Sequence, residues 1–255
     1  MEDKKIYGII PARYGSSRFP GKPLAKILGK PMFVHVYERA KQCKKISEVI
    51  LATDHEKIFE AAKKYNVPVV MTDPSHKSGT DRVFEAASKL GVSENDIVIN
   101  IQGDEPLLDP IMVEELLESF DEPNIKVATL VREITPKEAL DPNVVKVVLD
   151  LKGFALYFSR APIPYSSGLV KGIRFLGHIG MYGYRYNALK KFVMLPQSPL
   201  EKIEKLEQLR LLQNQIPIYC KFTRCFCLGV DTPEDLDKVE KILTKGRCEC
   251  GHCWY

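Results

Sequence analysis

Arg13, Arg18 and Lys22 stand among Gly15, Ser16, Ser17 and Gly21 in the stretch PARYGSSRFPGKPL, Pro11 to Leu24. Glycines let backbone N–H groups come close to a ligand, small hydroxyls add donors, and fixed cations neutralise anionic oxygens. No Asp or Glu occurs from Lys4 through Tyr37, so the local field suits a polyphosphate, although a plain solvated basic loop has the same composition. Two phosphate motifs are excluded. No GxGxxG follows the first apolar run, and Gly21-Lys22 is followed by Pro23, where a Walker loop needs Ser or Thr.

Carboxylates form the second chemical group. The apolar run VINIQGDEP ends on Gln102, Gly103, Asp104 and Glu105, and VILATD ends on Asp54. In an open parallel sheet such strand ends gather the ligand. A carboxylate facing phosphates is repulsive unless a divalent cation separates them, and magnesium is the usual bridge. Asp104 is alternatively a turn residue ahead of Pro106, and Asp54 a helix cap. In GVDTPEDL, Thr232 fits an N-cap, Pro233 the first helical position and Asp235 the third. That leaves Asp231 over, and Asp104 with Asp231 makes a candidate pair of metal-binding carboxylates.

The segment LEKIEKLEQLRLL reads as one helix in which Leu200, Ile203, Leu206 and Leu211 define an apolar face. Glu207 and Arg210 fall inside that face, where charges must pair with each other or meet a ligand. The tail CECGHCWY holds Cys248, Cys250, His252 and Cys253. Four zinc ligands compressed into six residues leave little chain to wrap a tetrahedron, so a disordered tail over 246–255 is the reading preferred to a metal site.

The elements that must position these residues follow from periodicity. Strand-like runs at 6–10, 49–53, 67–71 and 97–101 alternate with helical patterns at 32–43, 56–65, 80–90 and 110–120. Short apolar strands between helices imply an α/β fold with a mostly parallel central sheet and helices on both faces. Over 126–134, 144–150 and 154–161 the strands follow one another closely, with Gly153 marking a tight turn, which predicts a smaller β-rich insertion at about 126–185. The 255 residues, 45% of them hydrophobic, suffice for one large domain over 1–245. A net charge of +4 is too mild to announce a nucleic-acid binder. No apolar run reaches the ~20 residues that span a bilayer, and the start MEDKK carries no secretory signal. The odd cysteine count of seven argues against a disulfide framework. A cytoplasmic protein is the expectation.

PARYGSSRFPGKPL, ATDHE, HKSGTDRV, NIQGDEP, NVVKVVLD, GFALYFSRAPIPY, HIGMYGYR, SPLEKIEKLEQLR and GVDTPEDL, in this order, resemble the 3-deoxy-manno-octulosonate cytidylyltransferases. The resemblance runs from about Ile6 to Leu243. It implies a Rossmann-like nucleotidyltransferase fold, with the β-rich part serving dimerisation and sugar binding. It also implies transfer of CMP from CTP to 3-deoxy-D-manno-octulosonate (Kdo), with release of pyrophosphate, for lipopolysaccharide biosynthesis. A cytidylyltransferase for a related acid sugar, such as an 8-amino analogue of Kdo, is the alternative. Carried over by position, Arg13, Arg18 and Lys22 bind the triphosphate, and Lys22 stabilises charge as pyrophosphate leaves. Ala12, Ser78 and Gly79 lie near the cytosine, and Asp104 and Asp231 hold Mg2+. Gln102, Arg160, His178, Tyr182, Glu207 and Gln208 surround the sugar, and Arg82 assists with either anion. Gln102 is shared with the nucleotide. A homodimer is implied as well. No general base is identified: a His in a strand-like run such as His178 is more often a hydrogen-bonding or packing residue, and a metal-activated hydroxyl needs none.

Overall fold

The computed structural model of the chain describes residues 4–15, 19–165, 174–225 and 228–245. The described residues form two compact units. One comprises those before Glu114 together with those after Cys225, and the other is Glu114–Cys225.

In the first unit the opening apolar run becomes β1 (Ile6–Ala12), with Ile9 and Ile10 fully buried. A 3₁₀ turn at Lys22–Leu24 leads into the hairpin β2 (Lys26–Ile27) and β3 (Lys30–Pro31). Leu28 and Gly29 between them have φ of 48° and 81°, as a two-residue hairpin with matching twist requires. Next come α1 (Met32–Ala40), β4 (Glu48–Thr53), α2 (Glu56–Lys64) and β5 (Val69–Met71). The series continues with α3 (Gly79–Lys89), β6 (Ile97–Asn100) and α4 (Pro110–Glu118), which runs past the unit boundary. The strands pair parallel in the order β6–β1–β4–β5, and α1, α2 and α3 pack against them. This is the α/β arrangement that the alternating pattern predicts.

The second unit is built differently. It contains β7 (Val127–Ile134), α5 (Pro136–Ala139), β8 (Lys146–Leu149), β9 (Ala155–Ser159) and β10 (Phe175–Arg185). These are followed by α6 (Tyr186–Met194), α7 (Pro199–Glu204), α8 (Leu209–Gln213) and β11 (Tyr219–Phe222). The strand order is β11–β7–β10–β8–β9, with only the β11–β7 pair parallel. Four of its strands occupy the stretch expected to be β-rich. The turn from β8 to β9 places Gly153 at φ 86°, and the Asp150 carboxylate accepts the N–H groups of Lys152 and Phe154, both at 2.8 Å.

The helix expected over 200–212 is not continuous. It breaks after α7, where Lys205 takes a left-handed φ of 55°. Across the break the Arg210 guanidinium makes a bidentate pair with Glu201, at 2.6 and 2.9 Å, with both side chains buried. Bending buries Leu206, Leu209 and Leu211 while leaving Ile203 76% exposed, so a regular apolar face was the wrong geometry for this sequence. Arg210 is thus committed to Glu201, and Glu207 lies in the turn that the bend creates.

The last described helix, α9 (Pro233–Lys245), returns to the first unit. Val239 and Val230 bury with Ile27, Met32 and Leu107, and Leu236, Ile242 and Leu243 pack against that cluster. The Leu28 N–H also donates to Glu240 at 2.8 Å. A C-terminal helix and an N-terminal hairpin therefore share one small core.

Candidate active site

The residues read as a phosphate cradle are positioned by β1 and the turn after it. At the base of the loop the Gly21 N–H donates to the Tyr14 carbonyl at 2.9 Å. Gly21 has φ 71°, and a Cβ there would lie 3.4 Å from the Tyr14 ring, so glycine closes the loop without strain. Tyr14 itself stacks on His55 at 3.9 Å between ring centroids. Arg18 lies outside the described residues.

The end of β6 brings the next part. Gly103 passes so close to β1 that a Cβ would sit 2.7 Å from the Pro11 carbonyl oxygen. Only glycine permits this approach, and it carries Asp104 to the cradle. The third part is the segment before α9. The Val230 N–H donates to the Asp104 carbonyl at 2.8 Å, while the Asp235 carboxylate accepts the N–H groups of Asp231 and Thr232 at 3.2 and 3.1 Å.

These three segments meet on Lys22. Its Nζ donates to Asp104 Oδ2 at 2.7 Å, to the Val230 carbonyl at 2.7 Å and to Asp231 Oδ1 at 3.3 Å. Residues more than 200 apart in sequence thus bring two carboxylates to one cationic centre. Hard carboxylate oxygens converging on a single positive charge are the donor set that a Mg2+ ion shares with phosphate oxygens, so these residues fit that ion.

A cavity of about 340 Å³ opens beside this cluster. Ala12, Arg13, Lys22, Ser78, Gly79, Arg82, Gln102, Asp104 and Asp231 all line it, as do His76 and Lys77. Ser78 and Gly79 are there because α3 begins at this point: the Ser78 hydroxyl accepts the Asp81 N–H and the Asp81 carboxylate accepts the Ser78 N–H, at 3.1 and 3.2 Å. The cavity therefore meets a helix N-terminus as well as basic side chains, both favourable to an anion.

Arg82 forms part of the cavity wall but its guanidinium is already engaged. It donates to Asp54 Oδ2 at 2.7 Å and to Thr72 Oγ1 at 2.5 Å, and it is 3% exposed. Asp54 is consequently an ion-pair partner and not the helix cap considered from sequence. His55 takes the capping role, its Nδ1 accepting the Lys57 N–H at 3.2 Å.

Arg160, His178, Tyr182, Glu207 and Gln208 all belong to the second unit. In a regular strand residues four apart lie about 13 Å from each other, yet the His178 and Tyr182 rings are 5.3 Å apart. The register shift of β10 against β7 between Ile179 and Tyr182 accounts for the approach. His178 Nε2 contacts Thr129 Oγ1 at 3.0 Å and its ring meets Phe158 edge-on at 5.0 Å. Enclosure by these groups strips water from the imidazole and pushes its pKa down to about 3. His178 is therefore neutral at physiological pH, a hydrogen-bonding group and not a proton store.

Burial likewise pushes the Tyr182 phenol well above its ordinary value, with Tyr184, Cys220 and Glu207 adding to the effect. Its hydroxyl is enclosed without a well-formed hydrogen bond among the described residues, a state that a polar ligand would relieve. Arg160 is tethered by carbonyls: its Nε donates to the Glu204 carbonyl at 3.0 Å and its Nη1 to the Pro142 carbonyl at 2.9 Å. Gln208 precedes α8 and is 5% exposed.

Sequence reasoning missed the Val230 carbonyl, His76, Glu204 and Lys146. A backbone acceptor has no sequence signature. Lys146 did leave one, a lone ammonium in the apolar run VVKVVL.

A family profile described as cytidylyltransferase matches residues 7–221. A 3-deoxy-manno-octulosonate cytidylyltransferase of Oleidesulfovibrio alaskensis is 55% identical over 95% of this chain and 98% of that protein. One of Pasteurella multocida is 46% identical over 93% and 98%. A solved structure, CMP:2-keto-3-deoxy-manno-octonic acid synthetase complexed with CTP, superposes with a TM-score of 0.90 at 45% identity, covering 95% of this chain and 99% of that one. A cytidylyltransferase from Leptospira borgpetersenii, at 18% identity and a TM-score of 0.63, shares the fold. No helix of the described residues is long and apolar enough to cross a membrane. With the Lys22 cluster, the helix-capped cavity and these likenesses together, the chain belongs to the 3-deoxy-manno-octulosonate cytidylyltransferase family.

Proposed function

We propose that this chain transfers CMP from CTP to the anomeric hydroxyl of Kdo, giving CMP-Kdo and pyrophosphate for lipopolysaccharide biosynthesis. The observation that carries the reading is the meeting of Lys22, Asp104 and Asp231 at the edge of a cavity walled by Arg13, Ser78, Gly79 and Gln102. Such a site binds a nucleoside triphosphate by its charge and holds it by backbone N–H groups.

The reaction is an in-line displacement. The sugar hydroxyl attacks the α-phosphorus, the bond to the bridging oxygen breaks, and pyrophosphate carries away the electron pair. Protein catalysis of such a step is mainly positioning and stabilisation of charge. Arg13, Arg18 and Lys22 neutralise the triphosphate, and Lys22 meets the charge that grows on the departing pyrophosphate. Ala12, Ser78 and Gly79 contact the cytosine. Asp104 and Asp231 hold Mg2+, which supplies Lewis-acid polarisation of phosphate oxygens when bound. Arg160, His178, Tyr182, Glu207 and Gln208 bind the acid sugar: Arg160 offers the charge for its carboxylate, and neutral His178 offers a hydrogen bond. The enzyme acts as a cytoplasmic homodimer.

The test is direct. Purified protein with CTP and Kdo should release pyrophosphate and yield CMP-Kdo by mass spectrometry, with UTP, ATP and GTP at least tenfold poorer. Preference for the 8-amino sugar would move the assignment to the analogue. Turnover with neither sugar would reject it.

A further inference from the structure

Lys146 is fully buried, and its ammonium donates to three carbonyl oxygens: Asp141 at 2.8 Å, Val144 at 2.6 Å and Arg160 at 2.6 Å. Three acceptors use all three of its hydrogens, so the group is held as the cation. Among the described residues no carboxylate reaches it at ion-pair distance. Burial opposes this charge and lowers its pKa, offset in part by the Asp141 and Glu204 carboxylates beyond ion-pair distance. It is a costly choice where an apolar side chain of similar length would pack without penalty. What this arrangement gains is geometry.

The three carbonyls lie on two segments, the 141–144 loop and the end of β9 at Arg160. Arg160 is fixed from both sides by the same construction. Its Nη1 donates to the Pro142 carbonyl in the loop that Lys146 holds, and its Nε to the Glu204 carbonyl. Its backbone N–H donates to Glu204 Oε2 at 2.9 Å, while Ser159 Oγ donates to Glu204 Oε1 at 2.6 Å. All of these side-chain contacts of Arg160 are to neutral oxygens. Among the described residues no carboxylate forms an ion pair with its guanidinium; the nearby Glu204 carboxylate feels its charge but bonds the Arg160 backbone N–H instead.

We propose that Lys146 is a positioning residue for the acid sugar: by pinning the 141–144 loop to the Arg160 backbone, it presents the guanidinium to the sugar carboxylate. This rests on the reading of Arg160 as a sugar contact. Lys146 touches neither substrate.

The experiment compares Lys146→Met, Lys146→Gln, Arg160→Ala and Lys146→Met/Arg160→Ala in the full chain, titrating Kdo at saturating CTP and CTP at saturating Kdo. Lys146→Met should raise KM for Kdo on the order of tenfold, as loss of an outer supporting group does, while KM for CTP stays within about twofold. Lys146→Gln, which keeps two of the three donors, should fall between Met and wild type. Arg160→Ala should raise KM for Kdo further, and the double variant should be no worse than Arg160→Ala alone, because Lys146 acts only through that side chain. An Arg160→Ala enzyme with unchanged KM for Kdo overturns the sugar-contact reading and the proposal with it. An Arg160→Ala enzyme with raised KM beside an unaffected Lys146→Met enzyme, or additive losses in the double variant, overturns the positioning role alone. Equal rises in KM for CTP and Kdo also overturn it, since they report general loosening.

Discussion

Lys22 Nζ lies 2.7 Å from Asp104 Oδ2, and the same ammonium is 3.3 Å from Asp231 Oδ1. A side chain proposed to meet the triphosphate thus sits among the carboxylates proposed to hold the metal. The two tasks are mutually exclusive for one ammonium. Replacing Lys22 with Met should cut kcat on the order of 10²- to 10³-fold, the cost of losing one preorganised charge donor. It should also let nucleotide-free protein bind Mn2+ more tightly than wild type, measured by water-proton relaxation. Equal Mn2+ affinity in the two proteins would show that Lys22 does not compete for that position.

Asp104→Asn and Asp231→Asn should each lower turnover by at least about a hundredfold, since an amide cannot supply the charge that opposes a bound cation. Asp104, with 35% side-chain exposure against 54% for Asp231, should be the more damaging site. Circular dichroism should report intact folds. Wild-type rates in both variants would remove the carboxylates from the mechanism.

Asp54, partly exposed, pairs at 2.7 Å with the buried Arg82 guanidinium. Asp54→Ala leaves the guanidinium uncompensated and should cost about 3 kcal/mol of stability, the usual scale for breaking such a pair from one side. Urea unfolding measures it. Stability within about 0.5 kcal/mol of wild type would mean the pair is solvated and that Arg82 is free to meet an anion.

His178 gives a pH dependence with a definite sign. Its folded pKa of about 3 lies below the ordinary value of 6.5, so between these limits the unfolded chain binds the additional proton. Stability from this residue is complete above about pH 6.5 and is lost progressively as pH falls toward 3. His178→Gln should flatten the slope of unfolding free energy against pH in that window by up to one proton. The imidazole carbon shift of wild type should stay constant from pH 5 to 9 by NMR, and an inflection near 6.5 would contradict the enclosed environment.

Strands β1, β4, β5 and β6 were legible as short apolar runs and α1 to α3 as periodic patterns, α3 closed by its cap at Ser78 and Asp81, whereas the two-residue strands β2 and β3 are too short to register. Asp104 and Asp231 were legible as a chemical pair because Thr232, Pro233 and Asp235 already explain the helix start. What periodicity could not show was the bend at Lys205. The left-handed residue carries no glycine signal, and the Glu201–Arg210 pair that fixes it spans nine positions, so local spacing pointed to the wrong partner. Asp54 was misjudged for a similar reason: its partner Arg82 is 28 residues away, and the neighbouring His55 could cap the helix in its place. The Val230 carbonyl at Lys22 is a backbone group and left no trace in residue types.

The small core shared by α9 and the β2–β3 hairpin has a consequence for biosynthesis. Asp231 is delivered by a segment anchored by Val230 and Leu228 and by the α9 side chains Leu236, Val239, Ile242 and Leu243. A ribosome that has translated the cradle, the parallel sheet and every proposed sugar contact has still to add Asp231 and α9, and the chain made so far is expected to be inert. On that reading competence arrives with α9, and premature termination should yield silent products instead of partly working ones.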